Sequence, residues 1–133
     1  MQKAVSSKQT SIAGFRDLVA WQEAHKLVLS IYSLTKNFPN DEMFALTSQL
    51  RRAAVSTTSN IAEGFSRPTK ADKMHFYAIA QGSLTETQSQ LEIAKDVGYI
   101  TSATFTTVED GAIVVHKLLT GLIKSLRDGK GVK

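Results

Sequence analysis

Apolar residues along this chain recur at intervals of three and four and never in sustained alternation, a pattern that predicts helices and no strands. Within residues 40–65, Leu46, Leu50, Ala54, Ile61 and Phe65 share one helical face, and within 70–97 Tyr77, Ala80, Leu84 and Leu91 do the same. The segment 17–38 carries two apolar faces. Leu18, Trp21, Val28, Leu29 and Tyr32 lie on one side, and Ala20, Ala24, Leu27, Ile31, Leu34 and Phe38 on the other. A fourth segment spans 102–127. Pro39 followed by Asn40-Asp41-Glu42, Thr69 to Asp72 after Pro68, and Gly98 ahead of Thr101 and Ser102 supply the breaks and the helix starts. Gly64 and Pro68 are expected to end the second segment. Long helices joined by short connections pack as antiparallel neighbours, so the expected fold is all-α, an up-and-down four-helix bundle. It should occupy 15–127, with a basic arm over 1–14 and a basic tail over 128–133.

A single bundle buries one stripe per helix, yet three of the four segments carry a second. In the second segment Gln49, Arg52, Ser56, Asn60 and Glu63 line the face opposite the core. In the third, Ile79, Ser83, Glu86, Gln90, Ile93 and Val97 do so beside Gly82. Fully burying an Ile or Leu side chain is worth about 1.5–3 kcal/mol, and an exposed apolar stripe marks an interface. The expectation is a closed homo-oligomer with Ile79, Ile93 and Val97 at its apolar contact. Gln49, Ser56, Asn60, Glu63, Ser83 and Glu86 would form a polar seam or subunit interface.

With 133 residues the chain supports one domain. No cysteine is present, which removes disulfides and thiolate chemistry and fits a reducing, cytoplasmic setting. The first 14 residues lack the apolar run of a secretory signal, and no stretch has the apolar length of a membrane span, so no membrane association is expected. The net charge of +4 is uneven: residues 1–16 net +3, 117–133 net +4, and 17–116 net −3. Arg51, Arg52, Arg67, Lys117, Lys124 and Arg127 are the candidate contacts to RNA or DNA phosphates. Lysines at a helix C-terminus also complement the helix dipole without any partner.

Catalytic chemistry finds little support. Glu63 and Glu86 lack the Glu-x-x-His spacing of di-metal bundles, since Ser66 and Ser89 stand three residues on. His25, His75 and His116 lie on different segments without ligand spacing, and His25 is expected as a hydrogen-bonded core residue. Ser56, Ser59 and Ser83 have no nucleophile-elbow context. No enzymatic activity, metal, cofactor or small-molecule substrate is expected.

The order FRDLVAWQEAHKL, NFPNDEMFALTSQLRRAAVSTTSNIAEGFSRP and FYAIAQGSLTETQSQLEIAKDVGYI resembles the bacterial four-helix-bundle family of proteins encoded in intervening sequences of large-subunit ribosomal RNA genes. The resemblance covers about residues 15–126, with NIAEG and GSLTE its most specific blocks. That family is in turn similar to the accessory protein of diversity-generating retroelements. The resemblance implies a bundle able to form a five-membered ring and to bind RNA or DNA, and implies no enzyme. Carried over by position, its signature falls on Phe15, Leu18, Trp21, Phe38, Pro39, Glu42, Leu46, Gln49, Leu50, Arg52, Ser56, Asn60, Glu63, Gly64, Gly82, Ser83 and Glu86. Ala45 stands where the family commonly has Gly, and Thr85 and Thr87 flank Glu86 where other residues are frequent. The contrasting expectation, supported by the acidic body, is a structural or protein-interaction module that binds no nucleic acid.

Overall fold

The computed structural model describes residues 12–129. The expected arm up to Ser11 and the tail from Lys130 lie outside the described residues. Four helices account for most of the chain: α1 (Val19–Thr35), α2 (Leu46–Ser66), α3 (Lys70–Asp96) and α4 (Ser102–Arg127). Among the described residues there is no strand. Each helix packs on its two neighbours, α1 also closing against α4, around a core that includes Ala24, Ile31, Leu50, Ile61, Tyr77, Leu84, Leu91, Val115 and Leu119.

The breaks follow local chemistry. Thr69 and Thr101 cap α3 and α4, their hydroxyls accepting from the backbone N–H of Asp72 (3.1 Å) and Thr104 (3.0 Å). α3 is stopped by Gly98, two residues past its last residue, whose φ of +88° is the left-handed conformation that favours glycine. There Tyr99 N–H donates to Ala94 O (2.8 Å) and Gly98 N–H to Lys95 O (3.0 Å), closing the last carbonyls of the helix.

Three expectations need correction. The second segment does not become α-helical at residue 40: Asn40–Glu42 forms a short 3-10 turn and α2 begins at Leu46. Glu42 holds the break, its carboxylate reaching forward to accept from Leu46 N–H (3.2 Å) and across to accept from the Tyr99 hydroxyl (2.7 Å). That clasp joins the α1–α2 connection to the α3–α4 connection, with Phe38 and Tyr99 rings 5.2 Å apart beside it. Second, the face of α1 bearing Ala20, Ala24, Leu27 and Ile31 is buried, and the other is divided: Leu18 and Val28 are buried and Trp21 packs on the core, whereas Leu29 and Tyr32 are exposed. His25 therefore lies in solvent rather than in the core. Third, Gly64 does not end α2, which continues to Ser66. A Cβ there would lie 2.7 Å and 2.8 Å from atoms of the Tyr77 ring and 3.2 Å from Phe76 Cβ, so this glycine is required by the approach of α3.

Gly64→Ala is expected to destabilise the protein by about 1–2 kcal/mol, because overpacking of roughly 1–3 kcal/mol exceeds the helix-propensity gain of about 1 kcal/mol. Gly121, a helical position where an added Cβ meets nothing within 4 Å, provides the control. Gly121→Ala should stabilise by about 1 kcal/mol. Urea unfolding followed by circular dichroism measures both, and equal signs for the two substitutions would refute the close-approach account.

The clasp also predicts an alkaline response. The hydrogen bond to Glu42, and secondarily burial and the charges of Glu42 and Asp41, push the Tyr99 hydroxyl above its ordinary pKa of 10.0. A group whose folded pKa is raised contributes stability that is complete below the unfolded value and lost as pH rises through the folded one. Stability should thus fall above pH about 10, and less steeply in Tyr99→Phe than in the parent. Burial drives Tyr77 to about 12 in the same direction, so the variant keeps part of the decline. Unfolding free energies measured across that range check this, and parallel curves for parent and variant would contradict the clasp.

Candidate functional site

The α2–α3 pair carries most of the polar positions singled out by sequence. Ser56 and Ser83 face each other across the interface with hydroxyls 2.7 Å apart. Asn60 donates from Nδ2 to the Ser56 carbonyl (2.9 Å) and hydroxyl (3.1 Å). Further along, Gln90 donates from Nε2 to Glu86 (3.2 Å) and, at 3.4 Å, to Gln49. These groups form a seam between two helices of one chain, with Ser83 and Gln90 buried and Glu86 at its exposed edge. Burial is tolerated because the hydroxyls and amides satisfy one another. The Gln90 Oε1 is the exception, buried with no partner among the described residues. Thr57 and Thr87, fully buried nearby, return their hydroxyl protons to the carbonyls of Ala53 (3.1 Å) and Ser83 (2.9 Å).

Glu63 is not part of that seam. It pairs with Arg67 one helical turn on, and the Arg67 guanidinium lies 4.7 Å over the Phe76 ring. Lys73 completes the α2–α3 corner, donating from Nζ to Phe65 O (2.6 Å) and lying 5.3 Å over the Phe65 ring. The antiparallel register set by Ser56 with Ser83 and Gln49 with Gln90 puts Glu86 opposite residues near 53, far from Glu63. The two carboxylates therefore do not meet. No cluster of three or more His, Asp or Glu able to hold a metal occurs among the described residues.

The six candidate phosphate contacts do not form one patch. Arg51 and Arg52 lie about 22 Å along α2 from Arg67 at 1.5 Å per residue. Arg51 is tied down, donating from Nε to Thr35 Oγ1 (2.8 Å) and lying 4.7 Å over the Tyr32 ring. Arg52 is exposed between two open depressions of about 690 and 550 Å³. Tyr32, Thr47, Arg51, Val55 and Ser59 help to line the larger, and Gln49, Ser56 and Glu86 the smaller. Lys117, Lys124 and Arg127 are exposed on α4, the last two in its final turn, where they complement the dipole.

Antiparallel packing of four helices returns the chain to the end where it began. The start of α1, the α2–α3 turn and the end of α4 therefore lie together, and there Arg16, Lys70, Lys124 and Arg127 are exposed. At the opposite end Asp41, Glu92, Asp96 and Asp110 are exposed. Ile79, Ile93 and Val97 also lie exposed along one stripe of α3. Sequence reasoning missed Phe44, 96% exposed just ahead of α2 and bordering both depressions. Its position between a break and a helix start was the available signal. It also missed the stack of His25 on Trp21, whose i, i+4 spacing was legible.

The family model described as 23S rRNA-intervening sequence protein matches residues 16–121. The chain belongs to this family. The 23S rRNA-intervening sequence protein match spans α1, α2 and α3 entire and most of α4. It includes the whole polar seam, the α3 stripe and Lys117. The chain is also similar to a crystal structure from Bacteroides thetaiotaomicron, described as a protein with unknown function from the S23 ribosomal protein family. That similarity has a TM-score of 0.74 at 26% identity, covering 80% of this chain and 99% of the other. No curated protein matches the chain.

Proposed function

We propose that this 23S rRNA-intervening sequence protein is a non-enzymatic, self-associating helical bundle of the cytoplasm that binds RNA or DNA phosphates through its basic end. The observation that carries this reading is the separation of charge along the bundle. Arg16, Lys70, Lys124 and Arg127 lie at one end, and the segments carrying Lys3, Lys8, Lys130 and Lys133 attach there, at Ile12 and Gly129. A polyanion meets Arg16, Lys70 and Lys124 together there; Asp72 is exposed at the same end and Asp128 pairs with Arg127 at 3.5 Å, but Asp41, Glu92, Asp96 and Asp110 lie at the far end and repel it least from there. Assembly into a ring, of five subunits by the family resemblance, multiplies such a patch by the number of copies.

Fluorescence anisotropy with a labelled RNA hairpin and a DNA duplex at about 50 and 200 mM salt tests the reading. Affinity should fall steeply with salt. Lys70→Glu, Lys124→Glu and Arg127→Glu combined should weaken binding by at least about tenfold and flatten the salt dependence. Absence of binding at the lower salt would sink it.

A structural or protein-interaction role is the second reading, and it is favoured by the exposure of Phe44 and of the α3 stripe. Self-association is common to both readings, and Ile93, between Ile79 and Val97 on that stripe, is 48% exposed. Ile93→Glu should lower the mass measured by light scattering while helical circular dichroism is retained. A parent protein that is already monomeric would refute the interface.

A further inference from the structure

The outward face of α1 carries an aromatic stripe that starts at Trp21, half-buried against the core, and runs out into solvent at His25, Leu29 and Tyr32. Trp21, His25, Leu29 and Tyr32 follow one another at spacings of four, four and three, opposite the buried Ala20, Ala24, Leu27 and Ile31. The rings are ordered. Phe15 meets Trp21 edge-on with centroids 5.2 Å apart and planes at 67°. Trp21 then stacks on His25 at 4.7 Å with planes only 13° apart. His25 is exposed, so a near-parallel stack ends in water rather than in the core. Leu29 and Tyr32, 56% and 40% exposed, continue the stripe toward the other end of the bundle.

Cations bracket it. The Arg16 guanidinium lies 4.6 Å over the Phe15 ring, and that of Arg51 lies 4.7 Å over Tyr32. Arg51 hydrogen-bonds a threonine hydroxyl rather than a carboxylate. The acids closest in sequence are occupied: Glu23 pairs with Lys26 at 3.0 Å, and Asp17 accepts from the backbone N–H of Ala13 (3.0 Å) and Gly14 (3.2 Å). From Trp21 to Tyr32 the stripe runs about 16 Å at 1.5 Å per residue. His25 is thus the solvent end of the stack, with a cation on either side along the helix; proteins hold unpaired strands in this way, bases stacking on rings and phosphates meeting charges. A duplex, whose bases are already stacked on one another, offers no face to such rings.

We propose that this face of α1 binds single-stranded nucleic acid, an unpaired base extending the Trp21–His25 stack while Arg16 and Arg51 contact the phosphates on either side. The inference rests on the nucleic-acid reading above and specifies the state of the strand and the element that reads it. Trp21 is the only tryptophan of the chain, and it stacks on His25, so its fluorescence reports on this face. The full-length protein is titrated at about 50 mM salt with single-stranded RNA, single-stranded DNA and duplex, each of about 12 nucleotides or base pairs, while anisotropy of the labelled oligomer is followed in parallel. Either single strand should quench Trp21 saturably, and the duplex should leave it unchanged. His25→Ala should weaken single-strand binding by about 5- to 150-fold, the loss of one base–aromatic stack, and His25→Phe should restore it. Anisotropy showing tight binding with Trp21 emission unchanged and His25→Ala silent would overturn the strip and leave the nucleic-acid reading standing. No binding of any oligomer would overturn both. A Trp21 change that follows protein concentration alone, abolished by Leu29→Glu, would assign the face to a second copy of the chain instead.

Discussion

The close approach of α2 and α3 sets the geometry of the rest. At one end Gly64 leaves room for the Tyr77 ring, which is buried and cannot move aside. Further along the pair, Ser56 and Ser83 touch hydroxyl to hydroxyl. Side chains this small bring the two backbones close, and close backbones admit no larger side chain in turn. A three-residue connection, Arg67 to Thr69, keeps the register, held at the corner by Arg67 on Glu63 and by Lys73 on the Phe65 carbonyl near the end of α2. Because α2 and α3 are fixed against each other, α1 and α4 pack on a rigid pair and the core closes between them.

Such a seam has a chemical consequence. A small side chain contributes little apolar burial, so the interface gains cohesion from hydrogen bonds, and these require every donor to be placed. Serine, threonine, asparagine and glutamine meet that need without the desolvation cost of charges. This explains why the faces of α2 and α3 that meet are rich in hydroxyls and amides although they are not solvated. It also separates two features that share the third helix. Ser83 and Gln90 turn toward α2 and are consumed by the fold, whereas Ile79, Ile93 and Val97 on the neighbouring stripe remain exposed and available for contact.

Much of this was legible in the sequence where it depends on one helix at a time. Thr69, Gly98 and Thr101 act as the start and stop signals their residue types imply, and the core faces of α2 and α3 follow from periodicity. What was not legible depends on two elements at once. Gly64 has a helix-ending composition around it, and only the register against α3 reveals that Tyr77 is the reason for it. Glu42 looks like first-turn acid, but its bond to Tyr99, more than fifty residues away, holds it outside the helix. His25 falls with an apolar face that is split, Leu18 and Val28 turning into the core and Leu29 and Tyr32 into solvent; where the boundary runs is decided by where α2 and α4 lie. Glu63 and Glu86 share a helical face pattern, yet the antiparallel register separates them.

The charge separation has a single physical source. In an antiparallel bundle the start of α1 and α3 lies beside the end of α2 and α4, so the helix dipoles cancel in pairs and leave no net field along the axis. The field between the two ends is therefore carried by side chains alone, by Arg16, Lys70, Lys124 and Arg127 against Asp41, Glu92, Asp96 and Asp110, and it is reduced by Asp72 and Asp128 at the first end and by Lys36 and Lys95 at the second. Such a field is screened over about 10 Å at 0.1 M salt, less than the length of α1. A strand drawn to the basic end could not be held along the bundle by that charge. Continuous contact would have to come from short-range interactions laid along a helix, and the ordered rings of α1, which start beside Arg16 and reach Tyr32 and Arg51, are placed where that need arises.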